Sequence, residues 1–248
     1  MELRHHLAGW RAKVSNDFAE GAYQSELTAL QRDPVYSKFF LASPTYVLIR
    51  LMGRMSISIG RRLGEIYEKL PRFIAQARFN LTHDQIAPKM GGQLELDVCL
   101  RFADLAPDDQ THVLAVASRH LGADLRGTAG VGIEIRYNFN PNDSSRLRKD
   151  VDMANYLIAD GLHPVYMIFA ENSPRDEAIA RLTRAGWQFV VGSPAMAMMS
   201  EIVGTNIDDF LDRPAVATEV EREMGALTLE IFQSHAFQQA LAGMQVPA

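Results

Sequence analysis

The chain has 248 residues, 47% of them hydrophobic, enough to bury a sizeable core. Its net charge of −5 gives no sign of a strongly basic nucleic-acid binder, although a basic cleft can sit on an acidic body. A single cysteine, Cys99, excludes an internal disulfide framework and a zinc site built on thiolates.

The N-terminal MELRHHLAGW shows no cationic segment followed by an apolar run, and no stretch approaches ~18 unbroken apolar residues. A cytoplasmic protein with no membrane contact is expected, folded as one domain. Within it we expect a helical region over 1–54, a core over 55–211 and a helical region over 212–248.

Apolar spacing is helical from Met1 to about Phe79, with breaks expected near Asp33-Pro34, Ser43-Pro44 and Leu70-Pro71. Ile59, Leu63, Ile66, Tyr67 and Leu70 form one helical stripe. The alternating run from Gln93 to Phe102 predicts a strand, whereas Asp109 to His120 reads either as a short helix or as a strand leading into a hairpin. Val131, Ile133, Ile135, Tyr137 and Phe139 alternate with Gly132, Glu134, Arg136, Asn138 and Asn140, the period of a half-buried strand.

Asp143 or Ser144 is placed to cap a helix with a buried stripe of Leu147, Val151, Ala154 and Ile158, ended by Gly161. The nearly continuous apolar run HPVYMIF, from His163 to Phe169, predicts a central strand covered on both faces. Ser173-Pro174 and Ser193-Pro194 each start a helix, WQFVVG lies between as another strand, and Val216 to Gly243 closes the chain as helix. The order implies an α/β fold with a mixed β-sheet core flanked by helices and with helical N- and C-terminal elaborations.

A hairpin turn centred on Ala129, with Gly127 and Gly130 supplying permissive backbone, pairs Asp124 with Glu134. Opposed carboxylates on one face repel unless a cation lies between them. Arg126 and Arg136 on the same face supply one answer, a structural ion-pair ladder. A divalent metal is the other, since Mg²⁺ suits one or two carboxylates with waters and a phosphate oxygen. Arg146, Arg148 and Lys149 stand in the first turns of the next helix, where either a bound phosphate backbone offsets their unfavourable place on the macrodipole or Asp150 and Asp152 balance them on a solvated face. Asn138, Asn140 and Asn142 add amides able to bond phosphates or base edges.

This pattern resembles the PD-(D/E)xK nuclease core: Asp124, then Glu134-Ile135-Arg136, then a helix and an apolar strand. The run GIEIRYNFNPNDSSRLRKDVDMA with the downstream PVYMIF is most similar to type II restriction endonucleases, the ApaLI-like group in particular, over roughly Met55 to Leu211. The resemblance implies a restriction-endonuclease-like fold and Mg²⁺-dependent hydrolysis of double-stranded DNA by a homodimer reading a palindrome. It makes Asp124 and Glu134 the metal-binding residues, puts Arg136 in the place of the family's lysine, and adds a glutamate from the preceding helix, Glu65 first and Glu68 next, although Glu65 equally reads as the i,i+4 partner of Arg61. Asp97 is the second choice for the strand acid. Arg136 departs from the family, because a guanidinium stays protonated and cannot act as general base. The rival readings are a repair or recombination nuclease, a non-catalytic DNA-binding protein, and an oligomeric α/β protein with acids that only pair with arginines. His5, His6, His163, Trp187 and the methionines Met196, Met198 and Met199 are read as structural.

Overall fold

The computed structural model describes residues 2–137, 144–171, 176–207, 209 and 212–244. In chain order the elements are α1 (Glu2–Asp17), α2 (Ala22–Arg32), α3 (Pro34–Lys38), α4 (Pro44–Phe79), α5 (His83–Ile86), β1 (Lys89–Met90), β2 (Leu94–Glu95), β3 (Val98–Arg101), α6 (Pro107–Leu121), β4 (Gly130–Arg136), α7 (Ser144–Ala159), β5 (Leu162–Ile168), α8 (Asp176–Arg184), β6 (Gln188–Val191), α9 (Ser193–Val203), α10 (Pro214–Gln233) and α11 (His235–Ala242). They fall into two compact units, one of Met1–Arg62 with Phe210–Ala248, the other Leu63–Asp209. No described helix is long and apolar enough to cross a membrane.

The first unit is helical. Asp33 starts α3 by accepting from the backbone N–H of Val35 at 2.8 Å, with Pro34 at the first helical position. Trp10, Val14, Leu30, Leu51, Leu227 and Ile231 are buried. Glu26, also buried, is held by Arg50 at 2.9 Å and by Arg54. The single closing helix expected over Val216 to Gly243 is two helices, divided at Ser234. There Ser234 Oγ accepts from the Phe237 N–H and so caps α11.

The second unit is built on a four-stranded mixed sheet in the order β3-β4-β5-β6, with β3 antiparallel to β4 and the other pairs parallel. As its apolar run implies, β5 is central. The expected break at Pro71 does not occur: α4 continues through it, because the turns beyond it bury Ala75 and Phe79 in the core. Tertiary packing outweighs the missing proline N–H.

On one side of the sheet Val98, Leu100, Val131, Ile133, Ile135, Val165 and Met167 pack with Val113, Val116 and Ala117 of α6 and Met198, Met199 and Ile202 of α9. On the other, Cys99, Tyr166 and Ile168 pack with Met153, Ala154 and Leu157 of α7 and Leu182 of α8. Both faces are covered, so all seven residues of β4, its charged ones included, are buried. Gly132 allows this close approach: a Cβ there would lie 2.5 Å from Leu157 Cδ2. The buried stripe of α7 is Asp150, Met153, Ala154 and Leu157, while Ile158, expected inside, is exposed.

The expected hairpin does not form. Residues Pro107 to Leu121 are helical, the segment from Gly122 to Ala129 is loop, and β4 takes β3 on one edge and β5 on the other. Val98 pairs with Ile133 and Arg101 with Gly130. Gly130, at φ +148°, serves this closure and not a turn, since a Cβ would fall 2.1 Å from the Leu100 carbonyl oxygen.

Candidate active site

Asp97 immediately precedes β3. Continuing the register by one residue beyond Val98 and Ile133 sets Asp97 opposite Glu134 on the α7 side of the sheet. Asp97 Oδ2 accepts the Ile135 backbone N–H at 2.9 Å, which fixes the carboxylate against β4. Arg72, from the second half of α4, donates to Asp97 Oδ1 at 3.0 Å, to the Asp97 carbonyl at 2.7 Å and to Glu95 at 2.6 Å.

Arg136 lies amid the acids. It donates to Glu134 Oε1, to Asp97 Oδ2 at 3.1 Å, to Glu68 Oε1 at 3.3 Å and to the Ile135 carbonyl. Among the described residues, Glu134 Oε2 is buried with no hydrogen-bond partner. A cavity of about 350 Å³ adjoins the group, lined by Glu68, Asp97, Glu134 and Arg136 together with side chains of α7. Arg146, Lys149, Asp150 and Met153 line it from that helix, at the i, i+3, i+4, i+7 spacing of one helical face. Asp150 Oδ2 accepts from the Tyr166 hydroxyl at 3.2 Å, and the Asp150 carbonyl accepts from the Trp187 indole at 2.7 Å. Arg146 reaches Glu134 at 3.6 Å and Asp150 at 3.5 Å.

Burial sets the electrostatics. It pushes Glu134 well above the usual carboxylate range, helped by the charge of Asp97 and opposed by Arg136. Asp97 is raised by burial against the pull of Arg136, the Ile135 N–H and Arg72. Glu68 is raised the same way, by burial first. Arg136 is held charged, its burial outweighed by Glu134, Tyr166, Asp97 and Glu68.

Compared with family models, curated proteins and solved structures, the chain matches none.

The site residues expected from the sequence are redistributed by the fold. Asp124, expected opposite Glu134, sits instead on the exposed loop after α6. There it accepts from the Arg126 backbone at 3.1 Å and guanidinium at 2.7 Å, and its pKa is lowered to about 2, first by the side-chain bond to Arg126. The residues between α6 and β4 form no strand to carry it inward, so Asp97 stands where Asp124 was expected. From α4 it is Glu68, not Glu65, that lines the cavity among the described residues. Arg146 and Lys149 line it too, while Arg148, about 200° round the helix from Arg146, does not. Asn138, Asn140 and Asn142 lie outside the described residues.

Arg72 was not anticipated, and Asp150 only as an acid balancing the basic residues of α7 on a solvated face. Asp150 carries a signal in the i, i+4 relation to Arg146, though that spacing equally describes a solvated surface pair. Nothing local marks Arg72.

Among the described residues no three acids, histidines or cysteines form a preformed metal cage. Mg²⁺, however, commonly takes only one or two carboxylates, its other positions filled by water and phosphate. Asp97 and Glu134 are an all-oxygen pair of that kind, with Glu134 Oε2 lacking a partner among the described residues, while Arg136 occupies Glu134 Oε1 and Asp97 Oδ2.

Proposed function

We propose that the chain is a Mg²⁺-dependent endonuclease of the type II restriction kind, hydrolysing phosphodiester bonds of double-stranded DNA as a homodimer on a PD-(D/E)xK-like core. The observation that carries this reading is Asp97, one residue before β3, set opposite Glu134 of β4 beside a polar cavity, with Glu134 Oε2 unpartnered among the described residues. The order of acid, Glu134-Ile135-Arg136, helix and apolar strand supports it, with Asp97 as the first acid.

Asp97 and Glu134 would hold the cation. When bound, Mg²⁺ supplies Lewis-acid charge and a nucleophile at neutral pH. Arg146 and Lys149, on the α7 wall, attract and orient the phosphodiester. Arg136 cannot take a proton and so acts only by charge, against the negative charge that develops on the phosphoryl oxygens. Arg72, bonded to Asp97 through both its carboxylate and its carbonyl, keeps that acid in place.

Digestion of a mixed-sequence plasmid with and without Mg²⁺, followed by mapping of the ends, tests the proposal. Discrete ends that require Mg²⁺ and vanish in Glu134→Ala, with DNA binding retained, support it. Uncut DNA at every Mg²⁺ concentration overturns it. A second reading, a DNA-binding protein without catalysis, draws on the saturation of Arg136 by three carboxylates. It requires equal DNA affinity with and without Mg²⁺ and no cleavage.

A further inference from the structure

We propose that Arg136 is a tethered counter-ion that competes with the divalent cation for Asp97 and Glu134, so that the cation binds only as the guanidinium withdraws. The inference rests on the cation-site part of the function proposed above.

The guanidinium takes up the oxygens a metal would need. It bonds Glu134 Oε1, Asp97 Oδ2 and Glu68 Oε1, and the residue is only 9% exposed. Mg²⁺ binds oxygens at about 2.0–2.1 Å in near-octahedral geometry, which three oxygens already committed to an arginine cannot offer. Two cations held on the same carboxylates also repel one another strongly away from bulk water.

An arginine cannot resolve this conflict by losing its proton, whereas a buried lysine can. It must move. The adjoining cavity of about 350 Å³ has Arg146 and Lys149 on its wall beside Asp150, the side chains a phosphate entering it would meet. A phosphate lodged there would draw the guanidinium outward and vacate the carboxylates. Anion and divalent cation would therefore favour one another's binding, each by the same factor. In the structure Arg136 is bonded to all three acids.

The experiment is Mn²⁺ titration of the full chain by electron paramagnetic resonance, for the unmodified protein, Arg136→Gln, Arg136→Lys and Glu134→Gln, with thermal melting to report folding. Arg136→Gln is expected to bind Mn²⁺ at least tenfold more tightly than the unmodified chain, with Arg136→Lys between them, and to gain more in Tm on adding Mn²⁺. Should Arg136→Gln not fold, Arg136→Lys decides: tighter binding supports the competition and equal binding overturns it. Affinity unchanged in the Arg136 variants but lost in Glu134→Gln refutes the competition and leaves the cation site intact. No Mn²⁺ bound by any of the four proteins refutes both.

Discussion

Asp97, one residue before β3, lies opposite Glu134 of the antiparallel β4, and Arg136 donates to both carboxylates. The pairing places two acids from distant parts of the chain in one buried site and leaves Asp124, nearer in sequence, on an exposed loop. If the nuclease reading holds, Asp97→Asn should lower Mg²⁺-dependent cleavage at least 100-fold, while Asp124→Asn should cut within about twofold of the unmodified protein. Such losses are typical when a group acting in the transition state is removed. Initial rates on supercoiled plasmid check both variants, and equal losses in the two would reverse the assignment.

The register that brings Asp97 to Glu134 depends on Gly130. A side chain there meets the Leu100 carbonyl oxygen at 2.1 Å and the Arg101 Cα at 2.9 Å, both backbone atoms that cannot swing aside. Gly130→Ala is therefore expected to destabilise by roughly 2–4 kcal/mol, in the range of overpacking combined with backbone strain. A Cβ added at Gly127 would meet nothing within 4 Å, so Gly127→Ala should change stability by no more than about 0.5 kcal/mol. Urea denaturation midpoints measured side by side separate the two.

What was legible in the sequence was local. The apolar run before Phe169 marked the central strand, Ser193-Pro194 marked the start of α9, and the alternation around Glu134 assigned its apolar side correctly. The partner of β4 was not legible, because a strand reveals its own faces and not what pairs with it. The nearest candidate was a hairpin, yet α6 lies between β3 and β4. Val113, Val116, Ala117 and Leu121 follow an i, i+3, i+4, i+8 pattern that is helical, and that reading removes the upstream half of the hairpin. The polar side of β4 was equally hidden: period-two alternation looks the same whether the charges meet water or a helix bearing Arg146 and Asp150.

Burial and Asp97 raise Glu134 above its unfolded value. A raised acid contributes stability that is fully present below the unfolded pKa and is lost as pH rises through the folded one. The metal-free protein should thus lose stability as the solution becomes more alkaline from about pH 4.5, the reference value of the side chain. Glu134→Gln should weaken this dependence and melt higher than the unmodified chain on the alkaline side, Arg136 remaining paired with Asp97 and Glu68. Melting curves by circular dichroism across pH 4–9 decide it, and parallel profiles for the two proteins would show that Glu134 is not the group responsible.

Cys99 is buried between the sheet and α7, and burial pushes its thiol up to about 11. The sign follows from the same linkage: the neutral thiol is favoured in the fold, so this contribution is lost as pH rises from 9.0 toward about 11. At pH 8 the native protein should release almost no colour with a disulfide reagent, and one equivalent after unfolding in guanidinium. Rapid reaction of the native chain would contradict the packing of β3 beneath α7.

The α7 wall of the cavity makes the DNA proposal quantitative. Arg146 and Lys149 lie three residues apart on the cavity-lining face, whereas Arg148 does not line the cavity. A cation that neutralises one phosphate releases a counter-ion, so each contact contributes about 0.9 to the slope of log affinity against log salt. Arg146→Ala and Lys149→Ala together should reduce that slope by about 2, with Arg148→Ala leaving it nearly unchanged. Fluorescence anisotropy on a labelled duplex, in Ca²⁺ to suppress cleavage and from about 50 to 200 mM salt, measures all three. Because Arg146 also approaches Glu134 and Asp150 at 3.6 and 3.5 Å, its variant must first be shown to melt like the parent. A slope lost equally in Arg148→Ala would mean that DNA crosses α7 on another face and that the cavity does not receive the phosphate.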